Sequence, residues 1–411
     1  MNRTLFSFSV SIGVVVLVAA CGDDEPGAPA PSPASTESPP VATTAPTGTT
    51  PPACSGDTCN PPASTEVGPL KVRFLGVQGF LVEYDNQALL TSPLFTRPNG
   101  IQVTTGLPVT SDPALVSKNI PSAALAHVHA VLSGHAHYDH LLDTPAVMQR
   151  APNATLFSNL STRNILAAWA PDRGAACAGT TAQTDPIARA RVVAMDDPAK
   201  SVVDWTQCLD KKPVGAPTAG TWVDVPGANM RVLAVCSEHA DQIGPIHYGE
   251  GDVTEEKCTP PKNMNDWKEG LTLGFLVDFV DPKSKKPVYR VYYEDAPAWQ
   301  TKGQIPPSFL ADKPIDLALA CVGSYQNVPG APANTLTTMK PRFSVAGHWE
   351  DFLRGTDEAI QPIPFLDVDA WDRDALLAMP RAGESKQMLR NGKAFGDRVV
   401  RAQPNDTFEI R

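Results

Sequence analysis

Short β-rich apolar runs, broken by glycine and polar turns, dominate the chain from residue 67 onward. The first three runs predict a strand meander, because Gly76, Gly79 and the pair Asp85-Asn86 separate them with residues that favour turns. These three predicted strands span residues 70–75, 80–84 and 88–91. The opening of this region is therefore predicted to be a β-sheet.

Later apolar runs alternate with helical patterns. The further predicted strands are 128–132, 230–235, 271–280, 288–293, 317–322 and 343–346. Helices are predicted over 144–150 and 161–169, the second with Ser161 as its N-cap. This alternation predicts the α/β class, and no repeat of solenoid period is present. Two polar, cysteine-bearing stretches, near 174–221 and 241–266, are predicted to be surface insertions that shape a pocket.

The N-terminus has the pattern of a targeting signal. Arg3 precedes an apolar run, residues 5–20, which has the length of a signal-peptide core and is short for a membrane span. The run ends in Val-Ala-Ala-Cys-Gly, which resembles the bacterial lipobox. Residues 1–21 are therefore predicted to be a lipoprotein signal peptide with Cys21 as the lipidated residue. The alternative is an ordinary short apolar helix with a chance cysteine.

Residues 22–66 consist mainly of Pro, Ala, Ser, Thr and Gly. Such a segment buries too little apolar surface to offset the entropy of ordering, so it is predicted to be a disordered tether before a globular domain at 67–411. This plan predicts a protein anchored by lipid in the bacterial cell envelope. Gly22, rather than Asp, after the cysteine favours the outer membrane in a two-membrane bacterium.

The overall composition is that of a globular protein with a core. Of the 411 residues, 42% are hydrophobic and 19% are charged. A chain of this length can form one large domain or two of ordinary size. The net charge of -10 argues against nucleic acid as a partner, because phosphates are normally met by faces rich in Lys and Arg.

Cysteine usage agrees with export, because an exported chain meets an oxidising compartment. Neighbours in sequence suggest three disulfides among many connectivities. The predicted pairs are Cys54–Cys59, Cys177–Cys208 and Cys236–Cys258. Cys321, in an apolar run, is predicted to be a buried free thiol. No Cys-x-x-Cys pair supports a structural zinc finger.

The candidate chemistry centres on the His-Ala-His-Tyr-Asp-His string of residues 135–140, directly after a buried strand. Residues two apart in extended chain point to the same side, so His135 and His137 can hold one ion together. Asp139 and His140, where the chain turns into the next helix, can face a second ion. Imidazole and carboxylate are ligands that borderline divalent metals prefer. The alternative is an incidental polar cluster at a helix start.

This string resembles the signature of the metallo-β-lactamase superfamily. The resemblance implies a four-layer αβ/βα sandwich with two divalent ions at one edge of the facing sheets, zinc being the expected metal and iron or manganese the alternatives. It also implies three later ligands, each after a predicted strand: His239, Asp295 and His348. One ion is then expected on His135, His137 and His239, and the other on Asp139, His140 and His348, with Asp295 shared.

The start of the domain resembles the UlaG-like branch of that superfamily, which includes an ascorbate-phosphate lactonase and a phospholipase D acting on N-acylethanolamine phospholipids. The segments that carry the likeness are Val-Arg-Phe-Leu-Gly at 72–76, Phe-Leu-Val-Glu-Tyr at 80–84 and Leu-Leu-Thr-Ser-Pro at 89–93. The branch usually has His-Ala after Leu-Gly and Asp before the proline. Here Val77-Gln78 and Ser92 stand in those places, which the resemblance puts beside the metals.

Other polar residues are expected to have lesser roles. His127 and His129 flank a strand start and are expected to be core or edge residues, whereas His247, in the second insertion, could reach the pocket. Trp349 and Glu350 are expected either to line the cleft or only to pack beside His348.

Together these features predict an envelope-anchored hydrolase that acts on a small-molecule or lipid-derived ester, lactone or phosphodiester. Two ions would provide a metal-bound hydroxide as nucleophile, with Asp139 and Asp295 as candidate catalytic residues. The alternative is a non-catalytic metal- or ligand-binding envelope lipoprotein on the same scaffold. The sequence leaves the substrate, the metal and the oligomeric state open.

Overall fold

The computed structural model describes residues 67–200, 205–208, 215–242, 247–299, 301–355, 357–379 and 387–411. The predicted signal peptide, the predicted lipidation site Cys21, the predicted tether and the predicted Cys54–Cys59 pair lie outside these residues. Among the helices of the described residues, none has the length and apolar character needed to cross a membrane.

Strands and helices alternate through the described chain. The strands are β1 (Leu70–Gly76), β2 (Gly79–Tyr84), β3 (Gln87–Thr91), β4 (Val128–Leu132), β5 (Thr155–Ser158), β6 (Val192–Ala194), β7 (Val223–Asp224), β8 (Met230–Cys236), β9 (Leu273–Val280), β10 (Pro287–Tyr293), β11 (Leu317–Cys321), β12 (Phe343–Gly347), β13 (Met388–Arg390), β14 (Lys393–Phe395), β15 (Val399–Arg401) and β16 (Thr407–Ile410). The helices are α1 (Gly100–Thr105), α2 (Pro113–Asn119), α3 (Ser122–Leu125), α4 (Tyr138–Leu141), α5 (Thr144–Arg150), α6 (Leu160–Leu166), α7 (Ala333–Met339) and α8 (Val368–Ala378).

The strands form two mixed sheets. Within the described ranges, the first sheet has the order β14-β13-β16-β1-β2-β3-β4-β5-β6, and the second has the order β15-β12-β11-β10-β9-β8-β7. The predicted meander is confirmed, since β1, β2 and β3 pair antiparallel. Strands β3 to β6 run parallel in the first sheet, as do β10, β11, β12 and β15 in the second.

Buried apolar side chains divide the molecule into layers. Phe74 and Phe80 of the first sheet meet Phe275 and Tyr293 of the second in a central core. A second cluster packs α2 to α6 on the outer face of the first sheet. A third packs Trp371 of α8, with α7, on the outer face of the second sheet. The α/β class and the helix–sheet–sheet–helix order expected from the sequence are therefore confirmed.

The strands of the second sheet are apolar throughout because both of their faces are covered. In β9, Phe275 and Phe279 point into the central core, whereas Leu276 between them packs on the outer side. A strand buried on both faces has a continuous apolar run instead of an alternating pattern. This explains why 271–280 and 317–322 stand out in the sequence.

Two local predictions need correction or comment. Helix α6 begins after Asn159, whose side chain accepts a hydrogen bond from the Thr162 amide, so Asn159 and not Ser161 is the N-cap. The N-cap lies two residues earlier because β5 ends at Ser158 and leads directly into the helix. Within the stretch 174–221, β6 pairs with β5 and adds an edge strand to the first sheet.

The predicted disulfide pairing of the described cysteines is wrong. Cys177 is bonded to Cys258, with their Cα atoms 5.1 Å apart, and Cys208 is bonded to Cys236, at 5.7 Å. Neighbours in sequence do not pair, because the fold brings the stretch 174–221 against the stretch 241–266 and against the end of β8. Cys321 is buried and free, as predicted.

Candidate metal centre

The candidate ligands follow the carboxyl ends of strands in both sheets. The string 135–140 follows β4, and His239, Asp295 and His348 follow β8, β10 and β12. Strand β8 runs in the same direction as β10, since each pairs antiparallel with β9, and β10, β11 and β12 are parallel. The ends of these strands therefore meet at one edge of the sandwich, where the family resemblance implied the site.

The local backbone of the string explains how its side chains divide. His137 has an extended conformation, with φ -66° and ψ 153°, and precedes helix α4, which carries Asp139 and His140. Gly134 allows the string to lie against the second sheet, because a Cβ there would be 2.4 Å from the Cβ of Asp295. The string thus contributes His135 and His137 to one ligand group and Asp139 and His140 to another.

The first group consists of His135, His137 and His239. Their ring centroids are 4.5, 4.7 and 5.0 Å apart, and one ligand atom from each lies within 4.8 Å of the others. His135 is fully buried, and His239 is partly exposed.

The second group consists of Asp139, His140 and His348. The Asp139 Oδ2 atom lies 3.6 Å from His140 Nε2 and 3.3 Å from His348 Nε2. The two imidazole Nε2 atoms are 3.1 Å apart. His348 has a left-handed backbone, with φ 56°, and its amide donates to the Val77 carbonyl. The turn at Val77, one of the departures from the UlaG-like pattern, thus holds this histidine in place.

Asp295 lies between the two groups. Its Oδ2 atom is 2.5 Å from His135 Nδ1, and its Oδ1 atom is 3.1 Å from His140 Nδ1. The carboxylate is only 1% exposed. The structure therefore brings all seven predicted ligands into one cluster, with Asp295 in the shared position.

The cluster fits divalent cations better than it fits a purely structural role. His135 Nε2, His137 Nε2 and His348 Nδ1 are buried and have no hydrogen-bond partner. Buried polar atoms are normally paired, because leaving one unpaired costs about 1–3 kcal/mol. A bound cation would satisfy His135 Nε2 and His137 Nε2, whereas His348 meets the second group through its other nitrogen, Nε2.

Burial and neighbouring charges keep two histidines of the first group in the neutral form that binds metal. Burial lowers the pKa of His239 to about 3 and that of His137 well below its usual range, and the neighbouring His135 lowers both further. These histidines are therefore neutral near pH 7. Because metal binding requires a neutral imidazole, His137 and His239 are ready to accept an ion.

The carboxylates are held in their charged form. Burial alone would raise the pKa of Asp295 and of Asp139, but contact with His140 and other histidines lowers both. Burial opposes a charge on His140, yet Asp295 and Asp139 raise its pKa. A proton on His140 thus supplies the positive charge that these carboxylates require, which is the role that a cation would take.

Two residues that hold Asp295 were not recognised as such from the sequence. Tyr293 donates its hydroxyl to Asp295 Oδ1 at 2.5 Å, and Ser92 donates to the same atom at 2.9 Å. Ser92, which was noted only as a departure from the family pattern, therefore supports the shared carboxylate directly. Gln78, at the other departure, donates to the Glu294 carbonyl at 2.6 Å.

A cleft of about 170 Å³ lies beside the first group. Its lining includes His239, His247, Glu269, Glu238 and Lys302. His247 therefore reaches the pocket, in agreement with the expectation from its place in the second insertion. Glu269 was missed, since a lone glutamate before a strand carries no signal in the sequence.

The remaining candidates lie outside the cluster. Trp349 donates to the Ala402 carbonyl and packs against Arg401, so it has a packing role. Glu350 accepts from the Val77 amide and pairs with Arg97, which supports the turn that holds His348. His127 and His129 bond backbone carbonyls near the start of β4.

No family model matches the sequence, and no curated protein matches it at a significant level. Solved structures do match. Igni18, a metallo hydrolase from the archaeon Ignicoccus hospitalis, is 15% identical with a TM-score of 0.43, over 84% of this chain and 99% of that chain. CmlA, a diiron β-hydroxylase from Streptomyces venezuelae, is 13% identical with a TM-score of 0.38, and the match covers 84% of this chain and 55% of CmlA. A third match is a Thermotoga maritima protein described as a zinc-dependent hydrolase of the metallo-β-lactamase superfamily. It is 12% identical with a TM-score of 0.27, and the match covers 74% of this chain and 84% of that chain.

Proposed function

We propose that this chain is a hydrolase that works with two divalent metal ions. The observation that carries the proposal is the pair of ligand groups at one edge of the sandwich, joined by the buried Asp295 and containing unpartnered imidazole nitrogens. His135, His137 and His239 would hold one ion, Asp139, His140 and His348 the other, with Asp295 between them. Zinc suits this nitrogen and oxygen donor set, as do iron and manganese.

The ions would supply an activated water and would polarise the carbonyl or phosphoryl oxygen of the substrate. The residues of the chain supply the rest. Asp295, which accepts hydrogen bonds from Tyr293 and Ser92, holds the two ligand groups at a fixed distance from each other. Asp139 is the more accessible of the two carboxylates, 8% exposed against 1% for Asp295, and in its charged form can accept a hydrogen bond from the attacking water and orient it.

The substrate class that we propose is a small-molecule or lipid-derived ester, lactone or phosphodiester. The cleft beside His239 has a volume of about 170 Å³ and a lining rich in charged side chains, which suits a small polar group. Nucleic acid is not proposed as a substrate, because the chain carries a net charge of -10.

The test combines metal content with turnover. The chain without residues 1–66 is loaded with zinc, iron or manganese, its metal is measured by mass spectrometry, and a panel of phosphodiesters, lactones and esters is assayed. We expect two ions per chain and turnover of at least one class. Two ions without turnover across the panel would favour the non-catalytic binding protein.

His137→Ala should abolish activity and remove the first ion, because it deletes a donor of the first group. His127→Ala is the matched control, since it deletes an exposed histidine outside the cluster. Full activity in His137→Ala would refute the assignment of the site.

We also propose that the chain is anchored in the bacterial cell envelope through a lipid on Cys21. The support is the order of an apolar run, a lipobox-like end and a Pro-rich segment in the sequence. Radiolabelled palmitate fed to expressing cells should label the wild-type chain and not Cys21→Ser. Equal labelling of the two chains would contradict the anchor.

A further inference from the structure

A short strap, residues 247–251, lies against His137. The strap is held by two backbone hydrogen bonds, from Glu269 to the Gly249 carbonyl and from Gly270 to the Gly251 carbonyl, each 3.0 Å long. Gly249 has φ 71°, and a Cβ there would lie 2.8 Å from His137 Nε2. Only glycine therefore allows the strap to approach His137 Nε2 this closely.

Two side chains at this place form a group of their own with His137. His247 Nε2 is hydrogen-bonded to Glu269 Oε2, and the same Glu269 oxygen lies 4.0 Å from His137 Nε2. One ligand atom from each of the three residues lies within 4.8 Å of the others. The backbone ties this group to the string 135–140, because the Ala136 amide donates to the Glu269 carbonyl at 2.9 Å.

Other contacts orient the two side chains. Thr272 donates its hydroxyl to Glu269 Oε1 at 2.7 Å, and His247 Nδ1 lies 3.2 Å from Asp241 Oδ1. Ligating carboxylates and histidines are usually held in this way by outer partners.

We propose that His137, His247 and Glu269 form an outer cation position that shares His137 with the first group and passes a divalent ion inward to it. The inference rests on the proposed function, since it presupposes that the first group holds an ion. Two imidazole nitrogens and one carboxylate oxygen suit the same borderline divalent cations as the first group. A neutral imidazole binds one ion at a time, so the outer position and the first group alternate in their use of His137.

The direction of transfer follows from exposure. His239, His247 and Glu269 line the cleft, whereas His135 is fully buried and does not. An ion that arrives through the cleft meets the outer position before it can reach His135. The outer position replaces part of the hydration shell of the ion early, which lowers the barrier to entry.

The experiment measures zinc uptake by the metal-free chain in a stopped-flow instrument with a chromophoric chelator. The phase that belongs to the first group is identified as the one whose amplitude falls in His239→Ala, which deletes an inner donor. We expect His247→Gln and Glu269→Gln each to slow that phase by about tenfold or more, because each variant removes a donor that replaces water around the entering ion and so raises the barrier to entry. The final zinc affinity should change much less than the rate.

His247→Gln separates a ligand from a structural partner. A glutamine amide can still donate to Glu269 and keep the strap in place, but it is a poor metal ligand. Uptake at the wild-type rate in His247→Gln would therefore overturn the proposal. His127→Ala is the matched control and should leave the rate unchanged.

Two further outcomes bear on the sharing of His137. His135→Ala deletes only an inner donor, so it should lower the final affinity while preserving the initial uptake rate. Slowing by His135→Ala as strong as that by His247→Gln would contradict an outer position, and three tightly bound ions in the wild-type chain would contradict a shared His137. These readouts need no turnover, so an inactive two-ion chain would refute the proposed hydrolase without affecting the test.

Discussion

The hydroxyl of Tyr293 should control how tightly the protein binds its two metal ions. Tyr293 is fully buried, and its hydroxyl lies 2.5 Å from Asp295 Oδ1, the oxygen that also accepts from Ser92. Tyr293→Phe removes this donor and leaves the ring in place. The carboxylate that links the two ligand groups then loses one of the contacts that set its orientation.

The magnitude follows from the kind of bond. A hydrogen bond to a charged group contributes about 1.5–3 kcal/mol, and about 1.4 kcal/mol corresponds to a factor of ten in affinity. We therefore expect zinc affinity to fall by about 10–100-fold in Tyr293→Phe. A competition titration against a chromophoric chelator measures this affinity directly.

Tyr289→Phe provides the matched control on the same strand. The Tyr289 hydroxyl is bonded to the neutral carbonyl of Gly68 at 2.8 Å, far along β10 from Asp295. Its loss should reduce the free energy of unfolding by about 1 kcal/mol and leave zinc affinity unchanged. Equal zinc affinity in the two variants would refute the reasoning.

Three further substitutions test packing, covalent links and buried charge. Gly134→Ala places a Cβ about where the Asp295 side chain lies, so zinc binding should be lost and circular dichroism should show whether the fold survives. Cys177→Ser opens the link to Cys258 across 81 residues and should lower the unfolding free energy by about 2–5 kcal/mol; an unchanged urea midpoint would contradict the pairing. Burial raises the pKa of Asp196 from 3.8 to about 7, so the folded state binds this proton more tightly and loses stability as the pH rises from about 4 to 7. Asp196→Asn should therefore melt above wild type at pH 8 and near it at pH 4; equal melting at both would contradict the raised pKa.

Local pattern was sufficient for the elements that carry the site. The predicted strand 128–132 and the predicted helix 144–150 match β4 and α5, because each is bounded by residues that end an apolar run or begin a helix. Residues two apart in an extended segment share a side, which is why His135 and His137 could be assigned to one group. The late histidine His348 was found only by resemblance, since a Gly-His-Trp segment has no chemical signature of its own.

The contacts that complete the site could not be predicted, because they join distant parts of the chain. Ser92 and Asp295 are 203 residues apart in sequence and 2.9 Å apart in space. Nothing near Tyr293 distinguishes its hydroxyl from that of Tyr289. Glu269 enters the site because its own carbonyl accepts a hydrogen bond from the Ala136 amide.

The sequence by itself determined the layered α/β architecture and the string at 135–140, since both depend on periodicity and on residues adjacent in the chain. The tertiary structure alone decided which cysteines pair, how Asp295 is held and that His247 and Glu269 lie against His137. The physical reason is that hydrogen bonds, disulfides and metal ligation depend on distance in space. That distance is set by how the two sheets pack, and the order of residues along the chain does not record it.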